Sequence, residues 1–283
     1  MNNGAVIRKL RNERKISRKV LAEGIISERT LLRFENGESK MDIDTFLLLL
    51  EGLNVQISDF QEEILSLNKT KKELVREEFR SGITDKTKRQ VYLDSLKKEY
   101  DSTKDIFYLY MLIQGKTVTN KLEAQKVFDI QPTEIKLLHD YLSKIIDWGY
   151  FELAMYGNCL DLFEENFLLF NLSDVIKQFE RFSYSIKHKI AYAKFLINSL
   201  LLSFERDNGE SIPLLLEHLQ KISESSDFTK ERIYWKFFSS LYTSVYLSRN
   251  RTYSAKYYAD IFYNLGYIQE AANILDLEKR LEK

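Results

Sequence analysis

The chain has 283 residues with 42 basic and 42 acidic side chains, a formal net charge of zero, so no global attraction to nucleic acid or membrane is expected. Two prolines, ten glycines and an apolar share of 44% that includes 17 Tyr and 18 Phe exclude a disordered chain and leave most of the length free to be helical. A single cysteine, Cys159, excludes an intramolecular disulfide and a multi-thiolate metal centre, and apolar runs such as Phe46 to Leu50 fall far short of the roughly 20 residues of a membrane span. These features predict a soluble, cytoplasmic, all-α protein.

Residues 1–65 predict five short helices, roughly 5–13, 18–23, 28–35, 43–51 and 59–65. Ile7, Leu10, Ile16, Val20, Leu21, Leu31, Phe34, Phe46, Leu47, Leu50, Val55 and Phe60 recur at helical spacing and are expected to share one small core. Ser17 and Ser27 each precede a helical run, where a side-chain oxygen satisfies an orphan N–H. Gly24 between them tolerates a tight turn. Two short helices in this order predict a helix-turn-helix, the second helix being the reader. Within residues 1–40 ten Lys or Arg face five Glu, a local basic excess suited to phosphate. Ser58-Asp-Phe-Gln61 reads as a capping box for the fifth helix.

The polar stretch 66–72 reads as a linker, giving domains at 1–65 and 73–283, and Thr70-Lys-Lys-Glu73 reads as a capping box that opens the next helix. Beyond it, helical runs alternate with breaks near Ser81-Gly82, Gly115, Gln131-Pro132, Gly149, Asn171, Ser183, Asp207-Asn-Gly209, Ser223 to Asp227, Ser248 to Thr252 and Leu265-Gly266. Runs of this length predict antiparallel hairpins stacked as a solenoid, in preference to an irregular bundle. Tyr253-Ser-Ala-Lys-Tyr-Tyr-Ala and Gly266-Tyr-Ile-Gln-Glu-Ala-Ala are like the small-residue contacts of degenerate tetratricopeptide repeats.

Arg33-Phe-Glu-Asn-Gly-Glu-Ser39, with Trp148-Gly-Tyr-Phe-Glu-Leu-Ala-Met-Tyr-Gly-Asn158 downstream, resembles the Rgg/GadR/MutR family of bacterial transcriptional regulators. The resemblance implies an N-terminal helix-turn-helix of the phage-repressor and Xre type. It also implies a tetratricopeptide-like domain that binds a short linear peptide pheromone in quorum sensing, and a homodimer. Arg18 stands where phage repressors often place a glutamine.

Helix-turn-helix docking puts the N-terminal residues of the reader on base edges, here Ser27, Glu28, Arg29 and Thr30. Arg29 suits guanine, Glu28 cytosine N4, and Thr30 a thymine methyl or phosphate. Arg33, Ser17, Arg18 and Lys19 are expected at the DNA backbone, and Glu35 is expected to bond back within the small domain. For peptide, the candidates are Asn158, Tyr192, Asn198, Arg232, Tyr234 and Lys236, with Tyr184 and Tyr257 beside them. Asn198 leads because it interrupts the apolar run Phe195 to Leu202, where a buried amide needs a partner. Arg206, Arg232 and Lys236 suit a peptide carboxylate. The tyrosines also fit core positions, and Asn158 also fits a turn beside Gly157.

Cys159 reads as a small core residue. His139, His188 and His218 are isolated, so no metal and no cofactor are expected. No phosphate-cradling glycine loop, nucleophile elbow or spaced acid–base pair suggests an enzyme. The expected function is a homodimeric transcriptional regulator on a near-palindromic DNA site, its half-sites about 34 Å apart, controlled by a short signalling peptide and with RNA polymerase as a further partner. The alternative is a helical-repeat interaction scaffold whose small domain is a docking element.

Overall fold

A computed structural model describes residues 3–67, 69–163, 172–182, 185–247 and 253–281. The chain divides into two compact units, 1–88 and 89–283. Every described regular element is helical, and none of the described helices is long and apolar enough to cross a membrane.

The first unit begins with α1 (Asn3–Glu13), α2 (Arg18–Ala22), α3 (Glu28–Glu35), α4 (Ile43–Gly52) and α5 (Ile57–Leu67). Side chains set the starts of α2 to α4. Ser17 Oγ accepts the Val20 N–H at 3.2 Å, Ser27 Oγ accepts that of Thr30 at 3.1 Å, and the Asp42 carboxylate accepts that of Thr45 at 2.8 Å. Each removes one unpaired donor from a helix end. The start of α5 differs from the Ser58 box. The helix begins at Ile57, and the Gln56 N–H donates to the Asp59 carboxylate at 3.2 Å, so the acidic residue meant to follow the cap reaches back to a residue before it.

Ile7, Leu31, Leu49 and Leu53 are fully buried at the centre of this unit. Gly24, at φ +75°, makes the turn between α2 and α3, a conformation that L side chains rarely adopt. Gly4 serves a different need: a Cβ there would lie 1.8 Å from the Phe34 carbonyl oxygen, so only glycine lets α1 approach the end of α3.

The Thr70 box opens α6 (Lys71–Thr84), with Thr70 Oγ1 accepting the Glu73 N–H and the Glu73 carboxylate accepting that of Thr70. Ser81-Gly82 lies inside this helix rather than between two, because Gly82 is buried there and a packed glycine does not end a helix.

The second unit takes in most of α7 (Lys86–Thr103), followed by α8 (Ile106–Leu122), α9 (Pro132–Leu142), α10 (Tyr150–Asn158), α11 (Leu172–Glu180), α12 (Ile186–Glu205), α13 (Ile212–Ile222), α14 (Thr229–Tyr246), α15 (Ala255–Asn264) and α16 (Ile268–Leu281). The break expected at Gly115 is absent: α8 runs through it, with Gly115 buried and the Thr119 hydroxyl donating to its carbonyl at 2.8 Å. The breaks expected at Asn171, Ser183 and Ser248 to Thr252 lie outside the described residues. Helices α12, α13 and α14 pack in succession, α15 packs on α16, and α16 also reaches back to α12. Aromatic rings fill the interior of this unit, including stacks of Tyr156 on Phe163, Phe179 on Tyr192 and Phe204 on Phe238.

Candidate DNA interface and sensing groove

In the first unit, α3 buries Leu31, Phe34 and Glu35 and leaves Glu28, Arg29, Thr30 and Arg33 exposed. This is the division that three-to-four spacing dictates for a helix with one face on the core. Ser27 and Thr30 bond to each other through their hydroxyls at 2.7 Å. Ser17 and Lys19 are exposed on the neighbouring α2 end. All of these residues are exposed, on α3 and at the start of the α2 that packs on it.

Arg18 is placed differently from the rest. Its Nε lies 2.6 Å from Glu35 Oε2, while Arg11 holds the same carboxylate through Nε at 2.6 Å and Nη2 at 3.0 Å. The Glu35 side chain is wholly buried and that of Arg18 only 27% exposed, so Arg18 ties α2 to α3 and is a positioning residue before it is a phosphate contact. Burial pushes the Glu35 carboxyl up, but the hydrogen bonds and charges of Arg11 and Arg18 outweigh it and hold the group below the usual carboxylate range.

In the second unit the Trp148–Asn158 segment is tied to α9 by side-chain hydrogen bonds. Trp148 Nε1 donates to the Leu142 carbonyl at 3.2 Å. Glu152 accepts the Gly149 N–H at 2.9 Å through one oxygen and the Tyr141 hydroxyl at 2.7 Å through the other, which fixes α9 against the start of α10. The other end of α10 then delivers Asn158 to the rim of a groove of about 680 Å³.

Asn158 and Asn198 both line this groove, with Gln269 and Asn273 from α16. Asn198 Nδ2 donates to the Gly157 carbonyl at 3.2 Å, and Asn158 Nδ2 donates to Tyr110 Oη at 2.8 Å. Asn198 is therefore not the buried amide expected: it is exposed in the groove, and its partner is the adjoining helix end. Ion pairs flank the amides, Lys121 with Asp161 at 2.8 Å and Arg280 with Glu205 and Asp276. Cys159, next to Asn158, is buried, and that burial pushes its thiol up to about 12, so it stays protonated at neutral pH.

The other candidates sit elsewhere. Tyr192 is buried against Phe179, and its hydroxyl has no hydrogen-bond partner among the described residues; desolvation there pushes its pKa up. Tyr234 is buried between Phe238 and Phe262. Both rings face the core because their helices bury that stripe. Arg232 Nε donates to the Ser223 carbonyl at 2.7 Å, which satisfies the end of α13. Lys236 and Tyr257 line a separate groove between α14 and α15, and Tyr184 lies outside the described residues. Sequence reading missed Gln269, Asn273, Asp276 and Arg280, although their spacing along α16 is that of one helical stripe.

Residues 89–274 match the family described as HTH-type transcriptional regulator Rgg, C-terminal domain, and residues 7–60 match a helix-turn-helix family. A Listeria monocytogenes EGD-e protein described as a transcriptional regulator aligns at TM-score 0.82 with 20% identity, over 99% of this chain and 97% of its own. The Streptococcus dysgalactiae SHP pheromone receptor Rgg2 aligns at 0.79 with 22% identity, over 98% of this chain and 99% of its own. PrgX in its complex with cCF10 aligns at 0.75 with 14% identity, over 99% and 92%. At these identities the structural likeness is one of fold.

Fold and family matches together define a helix-turn-helix transcription regulator with a helical-hairpin C-terminal domain. The chain belongs to the Rgg family, whose C-terminal domain alone accounts for residues 89–274.

Proposed function

We propose that this regulator works in the cytoplasm as a homodimer on a near-palindromic promoter site, under the control of a short linear peptide bound in its second unit. The observation that carries the peptide reading is the groove of about 680 Å³ with Asn158, Asn198, Gln269 and Asn273 along it, a volume within the range of small-ligand sites. An extended peptide exposes one N–H and one C=O per residue, and a carboxamide side chain offers both a donor and an acceptor to meet them. Rgg2 from S. dysgalactiae is an SHP pheromone receptor and PrgX forms a complex with cCF10, and the same class of ligand is proposed here. The scaffold alternative loses its ground because the family is one of transcription regulators.

For DNA, the exposed Ser27, Glu28, Arg29 and Thr30 would read bases, with Arg33, Lys19 and Ser17 on phosphate. A homodimer presents two such helices, which is why the site is expected to be a near-palindrome. The test is fluorescence anisotropy of the full chain on its own upstream DNA at two salt concentrations, with a non-specific duplex as control. Specific binding with a steep salt dependence is expected; affinity no better than the control would sink the reading. Asn198→Ala should weaken binding of an octapeptide pool with unchanged DNA affinity, and undiminished peptide retention would remove the groove from the mechanism.

A further inference from the structure

Next to the groove, between α10, α12 and α13, lies a second and smaller cavity of about 40 Å³. Leu160 and Leu202 line both spaces, so the two meet across these side chains. On α12, Asn198, Leu201 and Glu205 face the groove while Ser199, Ser203 and Arg206 face the smaller cavity. Its inner walls are Tyr156, Phe195 and Leu215, each buried to 1% exposure. Its polar lining is Ser199, Ser203, Arg206, Asn208 and Ser211, of which Arg206 is exposed. The Ser203 and Ser211 hydroxyls lie 3.0 Å apart. Arg206 makes one long hydrogen bond, Nη2 to the Phe163 carbonyl at 3.4 Å, and has no carboxylate partner among the described residues.

Such a site has an apolar floor, hydroxyls beside it and one guanidinium that meets no carboxylate among the described residues. Its complement is a short aliphatic body ending in a carboxylate. The room available is that of a few water molecules, which suits one small branched aliphatic side chain better than an aromatic ring. The charge is the second half of the argument: a guanidinium takes a carboxylate in a two-pronged hydrogen bond, and a linear peptide carries one such group at its C-terminus.

The geometry points to this cavity as the subsite for the C-terminal residue of the groove-bound peptide, the side chain being aliphatic and the free carboxylate resting on Arg206. This rests on the peptide reading of the groove and adds to it a ligand polarity and a requirement for an unblocked C-terminus. Leu202, shared by the two spaces, is then the side chain over which the peptide passes from one to the other.

The test uses the full chain and two probes. N-acetyl-leucyl-leucine and its C-terminal amide are titrated by calorimetry, and octapeptides randomised at the first seven positions and ending in leucine are compared for retention as acid and amide. The acid dipeptide is expected to bind at least about tenfold more tightly than the amide, a difference of about 1.4 kcal/mol. Arg206→Gln should abolish that preference and Arg206→Lys should keep part of it; Arg206 is exposed, so both variants are expected to fold. Octapeptide acids should be retained over amides, and lost on Asn198→Ala. If octapeptides are retained through Asn198 with no preference for acid over amide, the subsite assignment falls and the groove reading stands. If neither pool is retained, the assignment falls together with the reading it rests on. An acid preference untouched by Arg206→Gln would also overturn it.

Discussion

Glu35 is held by arginines from two other helices, Arg11 of α1 and Arg18 of α2, and this sets how the first unit responds to mutation and to acid. Removing one member of a buried ion pair leaves the others desolvated and uncompensated, at about 3–5 kcal/mol. Glu35→Ala is therefore expected to lower the protection of α1–α3 amides in hydrogen exchange on the full chain by that order, and a change below 1 kcal/mol would show that the arginines find other partners. The pH dependence has a definite sign. The folded-state pKa of Glu35 is depressed, so its contribution is fully present above the ordinary Glu value of about 4.3 and is lost as pH falls through the folded value. Amide protection in α3 should fall on that acidic limb, and Glu35→Gln should flatten it. A structural Glu35 was legible in the sequence, since a glutamate on the buried stripe of α3 needs a cationic partner. Arg18 as one such partner was not, because its choice between Glu35 and DNA depends on how α2 crosses α3.

At the scale of elements, the caps were the most legible feature and the glycines the least. Ser17, Ser27 and Thr70 act on N–H groups three residues away, so their effect is written locally. Gly82 and Gly115 look like breaks because glycine is a poor helix former, by about 1 kcal/mol relative to alanine, yet both lie buried within α6 and α8, where packing offsets that cost. Gly4 is the opposite case: it carries a packing demand that no local pattern reveals. Gly4→Ala must move α1 off the end of α3 and should destabilise the first unit by about 1–3 kcal/mol, read by thermal unfolding of the full chain. An unchanged melting profile would mean that α1 shifts freely. The reader helix makes the sharper element-scale prediction. Arg29 stands in its first turn and Arg33 one turn later. Arg29→Ala should cost about 1–3 kcal/mol and relax preference at one base pair, whereas Arg33→Ala should weaken all sequences alike and reduce the salt slope. If both variants lose affinity uniformly, Arg29 is a phosphate contact.

At the scale of the whole molecule, the candidate sensing site is assembled from positions far apart in sequence, Lys121, Asn158, Asn198 and Asn273. That is why the sequence pointed to Asn158 and Asn198 one at a time but did not show that they line one groove. The polar stripe on α16 was readable, but nothing along the chain says that α16 returns to α12. For the proposed peptide to change operator affinity, the groove and the reader helix, which lie in different units, must be coupled in free energy. A peptide acts only through its differential affinity for two arrangements of the protein, and linkage makes that coupling reciprocal. If saturating peptide changes operator affinity by some factor, saturating operator DNA must change peptide affinity by the same factor in the same direction. Anisotropy of labelled DNA with and without peptide, and of labelled peptide with and without DNA, measures both. Equal factors different from one are expected, and they should persist when Asn198→Ala weakens the peptide, provided the peptide is brought to saturation. Peptide binding that leaves operator affinity unchanged would mean that control is exerted after DNA binding, at the step where the bound regulator meets the transcription machinery, and the two units would then be energetically independent.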